Sequence, residues 1–230
     1  MTRPVAENRM RRRALLQAAH VYVLIDAQAP ADEFFRLAQS LVQAGADVLQ
    51  LRDKTIDDRQ LLERARVLRS LTRDSSTLFV INDRPDLALL ADADGVHVGQ
   101  EELSVTDVRQ LVGPDLLVGV STHSLRQAHQ AVDDRADYIG VGPTFPSTTK
   151  AFDSFTGLDL LNQVARQIDL PAFAIGGISL DRMDDVLGAG IRRVAVAGAI
   201  TGAADPADAT RAFVRRLAQA GLRSGATVEE

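Results

Sequence analysis

The feature that most constrains the fold of this chain is a series of short apolar stretches that alternate with amphipathic helical patterns. In the first helical pattern, Phe34, Leu37 and Leu41 recur at the spacing that places side chains on one helix face. The apolar stretches are continuous, as expected of parallel strands covered on both faces. We predict strands at residues 21–25, 47–51, 77–81, 95–98, 116–120, 138–141, 172–175 and 193–196. Eight successive βα units close into a barrel, so the predicted fold is α/β, a single (β/α)8 TIM barrel.

The predicted helix ends agree with this alternation. Candidate N-terminal caps are Asp57, Ser104, Ser124 and Ser179, and candidate glycine stops are Gly45, Gly113 and Gly190. The alternative fold is an open doubly wound sheet, which normally has fewer strands. We expect the barrel to span residues 21–222, between an N-terminal helical extension at 1–20 and a frayed tail at 223–230.

Composition excludes several classes of function. The net charge of −5 and the pI of 5.4 argue against general nucleic-acid binding, which usually needs a basic surface. The absence of cysteine excludes disulfides, thiolate catalysis and cysteine-based metal sites. No apolar run reaches membrane-spanning length. The basic run at 11–13 precedes an apolar stretch, as in an export signal, but Gln17 and His20 interrupt that stretch. We therefore expect a surface helix with a basic edge, in a cytoplasmic protein.

Polar clusters follow several of the predicted strands, at the end where each strand stops. In a TIM barrel these carboxyl ends meet on one face, and active sites lie there. The clusters occupy residues 50–54, 82–84, 99–102 and 142–150. One face of the barrel is therefore expected to collect two acids, several bases and a set of glycines.

The two acids at this face are Asp83 and Glu102, which end consecutive units. Two carboxylates about 4 Å apart repel by about 4 kcal/mol at an effective dielectric constant of about 20. Mg²⁺ offsets such charge, commonly with one or two protein carboxylates and the phosphates of a substrate. Alternatively, each acid pairs with a nearby arginine or lysine, and the acids alone do not separate the two interpretations.

Three bases, Arg52, Lys54 and Lys150, are predicted to lie at the same rim as the acids. Arginine offers a planar fork to phosphate oxygens and lysine a mobile point charge. Any one of these bases would by itself be interpreted as a solvated surface charge. Three of them beside two acids favour a pyrophosphate site.

Glycines after the last two predicted strands indicate a second anion site. Gly176 and Gly177 follow the seventh strand and Gly198 follows the eighth, where backbone N–H groups of such barrels often bind phosphate. The sequence thus predicts two phosphorylated ligands. His97 is predicted to be a hydrogen-bonded core residue, and Ser121 to form a hydrogen bond and not to act as a nucleophile, because no partner acid is identifiable.

In the motifs that carry these residues, the chain resembles the thiamine-phosphate synthase family over about residues 21–200. The motifs are Gln-Leu-Arg-Asp-Lys at 50–54, Ile-Asn-Asp-Arg at 81–84, Gly-Gln-Glu-Glu at 99–102, Val-Ser-Thr-His at 120–123, the stretch 140–150, and Ala-Ile-Gly-Gly-Ile at 174–178. The resemblance implies a transferase of thiamine biosynthesis. Such an enzyme joins hydroxymethylpyrimidine diphosphate to a thiazole phosphate, carboxylated or not, and yields thiamine phosphate and pyrophosphate. Ionisation of the diphosphate is implied to precede attack by the thiazole nitrogen.

The resemblance also implies roles for individual residues. Gln50 is implied to hold the pyrimidine, within a substrate-binding motif that also includes Leu51 and Asp53. The residues implied on the diphosphate side are Arg52, Lys54, Asn82, Ser121 and Lys150, and the catalytic candidates among them are Arg52, Lys54, Ser121 and Lys150. The implied Mg²⁺ ligands are Asp83 and Glu102. The residues implied on the thiazole-phosphate side are Ser147, Thr148, Thr149, Gly177, Ala197 and Gly198.

Two positions depart from the family pattern, because Glu102 stands where aspartate is usual and Gly198 where serine is frequent. Residues 151–156 also lack the prolines common there. One rival interpretation is a thiazole tautomerase relative, whose members typically lack the diphosphate and metal residues. The others are a phosphate-binding barrel isomerase and a non-catalytic binding protein. We expect small-molecule partners, neither nucleic acid nor membrane, and leave a homo-oligomer open.

Overall fold

A computed structural model describes residues 5–146 and 155–225 of the chain. The described residues form a closed barrel of eight parallel strands, in which β8 pairs with β1. The strands are β1 Val21–Ile25, β2 Val48–Leu51, β3 Leu78–Asn82, β4 Gly95–Val98, β5 Leu117–Thr122, β6 Tyr138–Val141, β7 Ala172–Ile175 and β8 Val194–Val196. The (β/α)8 prediction is confirmed, and each strand lies within two residues of its predicted bounds.

Helices surround the barrel in the expected alternation. They are α1 Val5–Ala18, α2 Ala31–Gln43, α3 Asp58–Thr72, α4 Pro85–Leu90, α5 Val105–Val112, α6 Leu125–Asp133, α7 Gly157–Gln167, α8 Met183–Gly188, α9 Gly198–Thr201 and α10 Pro206–Gly225. No helix in the described ranges is long and apolar enough to cross a bilayer. Because α10 ends at Gly225, residues 223–225 of the predicted frayed tail are helical.

Most of the predicted helix boundaries are confirmed. The side chains of Asp57, Ser104 and Ser124 each accept a hydrogen bond from a backbone N–H in the first turn of the following helix. The glycine stops Gly45, Gly113 and Gly190 have φ values of 90°, 69° and 92°. The prediction for Ser179 was wrong, since this residue precedes a 3₁₀ turn at Leu180–Arg182 and its side chain makes no capping bond.

Alternate residues of each strand face two separate hydrophobic layers. In β1, Val21, Val23 and Ile25 belong to the outer core under the helices, whereas Tyr22 and Leu24 face the barrel interior. The same alternation turns Gln50 inward and Leu51 outward in β2. The interior of the barrel is therefore where a buried polar side chain can meet a ligand.

The N-terminal helix α1 packs against the interior layer, where Leu16 joins Tyr22 and other strand residues. Arg12 is only 8% exposed, and its Nε donates to Asp94 Oδ1 at 3.0 Å. Asp94 also accepts from Arg69 at 3.1 Å. The helix lies at the surface as predicted, with the side chain of Arg13 51% exposed, but the expectation of a fully exposed basic edge is corrected, because Arg12 is buried in an ion-pair network. The domain boundary at residue 20 stays a prediction.

Candidate active site

The carboxyl ends of β2 to β5 bring most of the described candidate residues to one rim of the barrel. Gln50 lies in β2, Asn82 is the last residue of β3, and Ser121 lies near the end of β5. A pocket opens among them into the barrel interior. It is lined by Tyr22, Leu24, Gln50, Arg52, Asn82, His97, Ser121, Tyr138, Gly140, Phe173, Ile175 and Ala195.

Asp83 and Glu102 converge on the ammonium group of Lys54. Lys54 Nζ lies 3.0 Å from Asp83 Oδ2 and 3.0 Å from Glu102 Oε1. Hydrogen bonds from Lys54 to Asp83 and Glu102 raise the pKa of Lys54, so it stays protonated. Both predicted metal acids and one predicted diphosphate base thus form a single cluster, and the alternative of acid–base pairing is realised here.

The backbone of Asp83 is held in an unusual conformation. Its φ is +60°, in the left-handed region, which asparagine and aspartate tolerate better than most residues. Its N–H donates to the carbonyl of His97 at 2.8 Å, and Asn82 Nδ2 donates to Asp83 Oδ2 at 2.6 Å. These bonds fix the carboxylate at the rim, where it contacts Lys54.

The donor set of this cluster fits a hard divalent cation. The carboxylates of Asp83 and Glu102 already hold the positively charged ammonium of Lys54 between them. Mg²⁺ binds oxygen ligands and commonly uses only one or two protein carboxylates, keeping waters and substrate phosphates for its other positions. No group of three or more acidic, histidine or cysteine side chains within residues 5–146 and 155–225 could hold a metal by itself.

His97 forms part of the pocket wall as an uncharged residue. Burial, with a smaller contribution from the positive charge of Arg52, lowers the pKa of His97 to about 4. Its Nε2 lies 3.0 Å from Ser121 Oγ, whereas its buried Nδ1 has no partner among the described residues. Ser121 is thus hydrogen-bonded, with no acid completing a nucleophilic triad in the described part of the pocket.

In the 50–54 motif, the side chains of Leu51 and Asp53 stabilise the local structure. Leu51 is buried in the outer core. The carboxylate of Asp53 accepts hydrogen bonds from Thr55, Ala27 and Ile56. Burial raises the pKa of Asp53, but these hydrogen bonds outweigh it and leave the pKa below its ordinary value. Asp53 therefore stays ionised and holds the segment after β2, which positions Arg52 and Lys54.

The segments after β6 and β7 lie against each other. Gly177 has a φ of +64°, and a Cβ there would lie 2.6 Å from the carbonyl oxygen of Pro146. Arg182 Nη1 donates to the carbonyl of Gly177 at 2.9 Å, and the guanidinium stacks over the ring of Phe145 at 4.8 Å. Only glycine permits this close approach.

The remaining candidates complete the rim on the β8 side or lie outside the described residues. Ala197 follows β8, and Gly198 begins α9. Ser147, Thr148, Thr149 and Lys150 lie outside the described ranges.

The aromatic floor of the pocket, formed by Tyr22, Tyr138 and Phe173, was missed by the sequence analysis. The rings contact one another edge-on or tilted, with centroids 5.3 to 5.9 Å apart. Gln50 Nε2 donates to Tyr22 Oη at 2.8 Å. The sequence held no specific signal for this floor, because both tyrosines fall inside apolar strands, where aromatic residues are common.

Comparison with known sequences gives one consistent family. The family described as thiamine monophosphate synthase matches residues 21–200. The thiamine-phosphate synthase of Rhodopirellula baltica is 48% identical over 190 residues, which are 80% of this chain and 51% of that protein. That of Thermosynechococcus vestitus is 42% identical over 89% of this chain and 57% of its own length. The chain therefore spans just over half the length of these two relatives.

Another relative and one solved structure match along nearly their full length. The thiamine-phosphate synthase of Acidothermus cellulolyticus is 40% identical over 90% of this chain and 99% of that protein. The structure described as thiamine phosphate pyrophosphorylase from Pyrococcus furiosus has a TM-score of 0.78 and 32% identity, over 92% of this chain and 98% of that one. A 3-hexulose-6-phosphate synthase, at 19% identity and a TM-score of 0.65, shares the fold alone.

Proposed function

The chain belongs to the thiamine monophosphate synthase family, and on that premise we propose that it synthesises thiamine phosphate. The substrates are 4-amino-2-methyl-5-(diphosphooxymethyl)pyrimidine and a thiazole phosphate, and the second product is pyrophosphate. The observation that carries the proposal is the convergence of Lys54, Asp83 and Glu102, which a hydrogen bond from Asn82 to Asp83 links to a pocket lined by Gln50 and Arg52.

The reaction makes one bond and breaks one. The bond from the pyrimidine methylene to the diphosphate oxygen breaks, and its electron pair leaves with pyrophosphate. The lone pair of the thiazole nitrogen then forms the new bond to the methylene carbon. A neutral thiazole nitrogen carries no proton, so the coupling step needs no general base.

Stabilising the leaving group is the dominant demand of such a displacement. Arg52 and Lys54 supply positive charge at the rim, and Asn82 supplies an amide donor. Mg²⁺ held by Asp83 and Glu102 would offset the charge that develops on the pyrophosphate. Lys150 is proposed to act on the same group, from the segment outside the described residues.

The neutral state of His97 supports the same chemistry. Ionisation leaves positive charge on the pyrimidine, and an imidazolium in the same low-dielectric pocket would oppose it. With the pKa of His97 at about 4, the ring is uncharged near neutral pH. It can therefore hold the Ser121 hydroxyl without adding charge to the pocket.

The thiazole phosphate is proposed to bind on the opposite side of the mouth. Backbone N–H groups at Gly177, Ala197 and Gly198 are proposed to meet the anion there. Ser147, Thr148 and Thr149 are proposed to contribute hydroxyls there.

The rival functions account for fewer of the residues in this site. A thiazole tautomerase relative or a one-substrate isomerase has no need of paired acids beside Arg52 and Lys54. A non-catalytic binding protein would use the same groups without turnover. The assembled cluster of Asp83, Glu102 and Lys54 favours the synthase.

One experiment separates these functions. The protein is incubated with Mg²⁺ and both heterocyclic phosphates, with the thiazole phosphate tested in carboxylated and uncarboxylated forms. Mass spectrometry should detect thiamine phosphate and a stoichiometric amount of pyrophosphate, and neither should form when one substrate is omitted. An isomerised thiazole alone would indicate a tautomerase, and tight binding without any product would indicate a binding protein.

A further inference from the structure

Arg84 lies at the rim and bridges two carboxylates. Its Nη1 and Nη2 donate to the two oxygens of Asp58, the second bond at 3.0 Å. Its Nε and Nη2 donate to the two oxygens of Asp86, at 2.9 Å and 2.7 Å. An arginine only donates and an ionised carboxylate only accepts, so the direction of all four bonds is fixed. The guanidinium thus holds each acid through a fork of two bonds.

The two forks occupy different places in the fold. Asp58 is the first residue of α3, in the segment that follows β2. Arg84 directly precedes α4, and Asp86 lies in the first turn of that helix, so both belong to the segment that follows β3. The Arg84–Asp86 fork therefore joins residues of one segment. The Arg84–Asp58 fork joins two segments, and we call it the clasp.

The clasp joins the same two segments as the contact between Lys54 and Asp83. Lys54 follows β2, and its Nζ lies 3.0 Å from the carboxylate of Asp83, which follows β3. Asp83 has a φ of +60°, and Pro85 is buried at the start of α4, so the backbone of Arg84 has little freedom between them. Two neighbouring residues after β3 thus hold the segment after β2, one at Lys54 and the other at Asp58.

The clasp is exposed, so it contributes little to the free energy of unfolding. The side chains of Arg84 and Asp58 are 33% and 70% exposed. Hydrogen bonds from Arg84 lower the pKa of Asp58 and of Asp86, so both acids stay ionised. The effect of the clasp is therefore expected on the geometry of the rim and not on the stability of the barrel.

We propose that Arg84 is a positioning residue for the diphosphate site, where the clasp fixes the segment after β2 against the segment after β3. The proposal rests on the proposed function, in which a divalent ion takes the place of the ammonium between Asp83 and Glu102. The contact between Lys54 and Asp83 is then lost, because Lys54 turns to the diphosphate. The clasp remains, and it keeps Lys54 and Asp83 at the spacing that the diphosphate and its metal ion require.

Charge and positioning predict opposite effects for the loss of Asp58. Asp58→Asn removes a negative charge from the rim, which by charge alone should strengthen the binding of an anion. If the clasp positions the site, the same substitution should weaken that binding. Asp86→Asn is the matched control. It makes the same change of charge, in the first turn of a helix and beside the same arginine, and it leaves the clasp intact.

The test measures the binding of inorganic pyrophosphate in the presence of Mg²⁺, by titration calorimetry and without turnover. The dissociation constant should rise about five-fold in Asp58→Asn and in Arg84→Lys, and change less than about two-fold in Asp86→Asn. Lysine keeps the charge of Arg84 but, as a single point charge, cannot form both forks. Asp58→Asn combined with Arg84→Lys should bind no more weakly than either variant alone, since both remove one interaction. Thermal melting of all variants should shift little.

The outcomes separate this proposal from the synthase assignment. Binding of pyrophosphate by Asp58→Asn as tightly as by the unchanged protein, or more tightly, overturns the proposal. Equal weakening in Asp58→Asn and Asp86→Asn, or weakening with a large drop in melting temperature, also overturns it, since either pattern indicates a structural role alone. An unchanged protein that does not bind pyrophosphate overturns both the diphosphate site and the role of the clasp in it.

Product formation by the unchanged protein completes the comparison. If thiamine phosphate forms while Asp58→Asn binds pyrophosphate normally, the synthase function stands and the positioning role of Arg84 fails. If Asp58→Asn and Arg84→Lys weaken pyrophosphate binding as expected while no thiamine phosphate forms, the positioning role stands and the synthase function fails.

Discussion

Asp83 and Glu102 share a single cation, the ammonium of Lys54, which lies 3.0 Å from one oxygen of each. Removing Lys54 from this position without another positive charge would leave two carboxylates facing each other. The pair is therefore arranged so that a cation is always favoured between them. On the proposed function, a divalent ion bound by the two acids would take the place of the ammonium and leave Lys54 to contact the diphosphate.

Glu102 is expected to act through its charge. Glu102→Gln keeps the shape of the side chain and removes the anionic oxygen, so the Mg²⁺ concentration for half-maximal rate should rise roughly ten-fold. Glu102→Asp restores the acid usual in the family and should change this concentration much less. Magnesium titrations at saturating substrates measure both. If the unchanged protein and Glu102→Gln need the same Mg²⁺ concentration for half-maximal rate, Glu102 is not a metal ligand.

Asp83→Asn should abolish turnover while leaving the barrel folded. Asparagine matches the shape of aspartate and also tolerates the left-handed backbone found here. The loss of a proposed metal ligand and of one partner of Lys54 should lower kcat by about 100-fold or more. Thermal melting of the same variant should shift little, because ion pairs near the surface contribute only about 0–1 kcal/mol. A normal kcat would show that the diphosphate binds elsewhere.

His97 should make the fold sensitive to acid. The pKa of His97 is lowered from 6.5 to about 4 in the folded protein. Between these values His97 is protonated in the unfolded chain and neutral in the native state. The destabilising effect of His97 is therefore absent above pH 6.5. Below that pH the free energy of unfolding falls as the pH drops toward 4, by about 1.4 kcal/mol per pH unit and about 3 kcal/mol in all. Urea unfolding of the unchanged protein and His97→Gln at pH 7 and pH 5 measures this contribution. A pH dependence that the substitution leaves unaltered would assign it to other groups.

Arg12→Ala should destabilise the protein much more than Arg13→Ala. Arg12 is buried against Asp94, and removing one partner of a buried pair costs about 3 kcal/mol. Arg13 makes a comparable contact with Asp137, but half of its side chain is exposed, so its loss should cost less than about 1 kcal/mol. Denaturant unfolding compares the two variants. Similar losses would mean that burial of Arg12 adds nothing to its ion pair.

The fold could be predicted because the period of the apolar residues determines it. Continuous apolar stretches of strand length, separated by helical stripes such as Phe34, Leu37 and Leu41, fit parallel strands under helices and few other arrangements. The prediction for Ser179 failed because a serine before a helical pattern marks a cap only if the next residues form an α-helical turn. Here they form a 3₁₀ turn instead.

The site could be predicted at its charged rim but not at its floor. Asp83, Glu102 and Lys54 are recognisable because charged residues directly follow strands whose carboxyl ends meet. Tyr22 and Tyr138 look like ordinary strand residues, and their meeting depends on which side of each strand faces inward. Arg12 was placed on the surface because the sequence does not reveal its partner Asp94, which lies 82 residues further along the chain.

The ties of α1 to distant residues also affect the order in which the molecule can assemble. Arg12 needs Asp94, and Arg13 needs Asp137, which is 124 residues later in the chain. A chain made from its N-terminus therefore carries α1 without these partners until β6 has been synthesised. Contacts of such long sequence separation form late, after loop closure has been achieved by other means. Docking of α1 thus waits for residues as far along the chain as Asp137, and until they are made the apolar face of α1 that carries Leu16 is without its full set of partners.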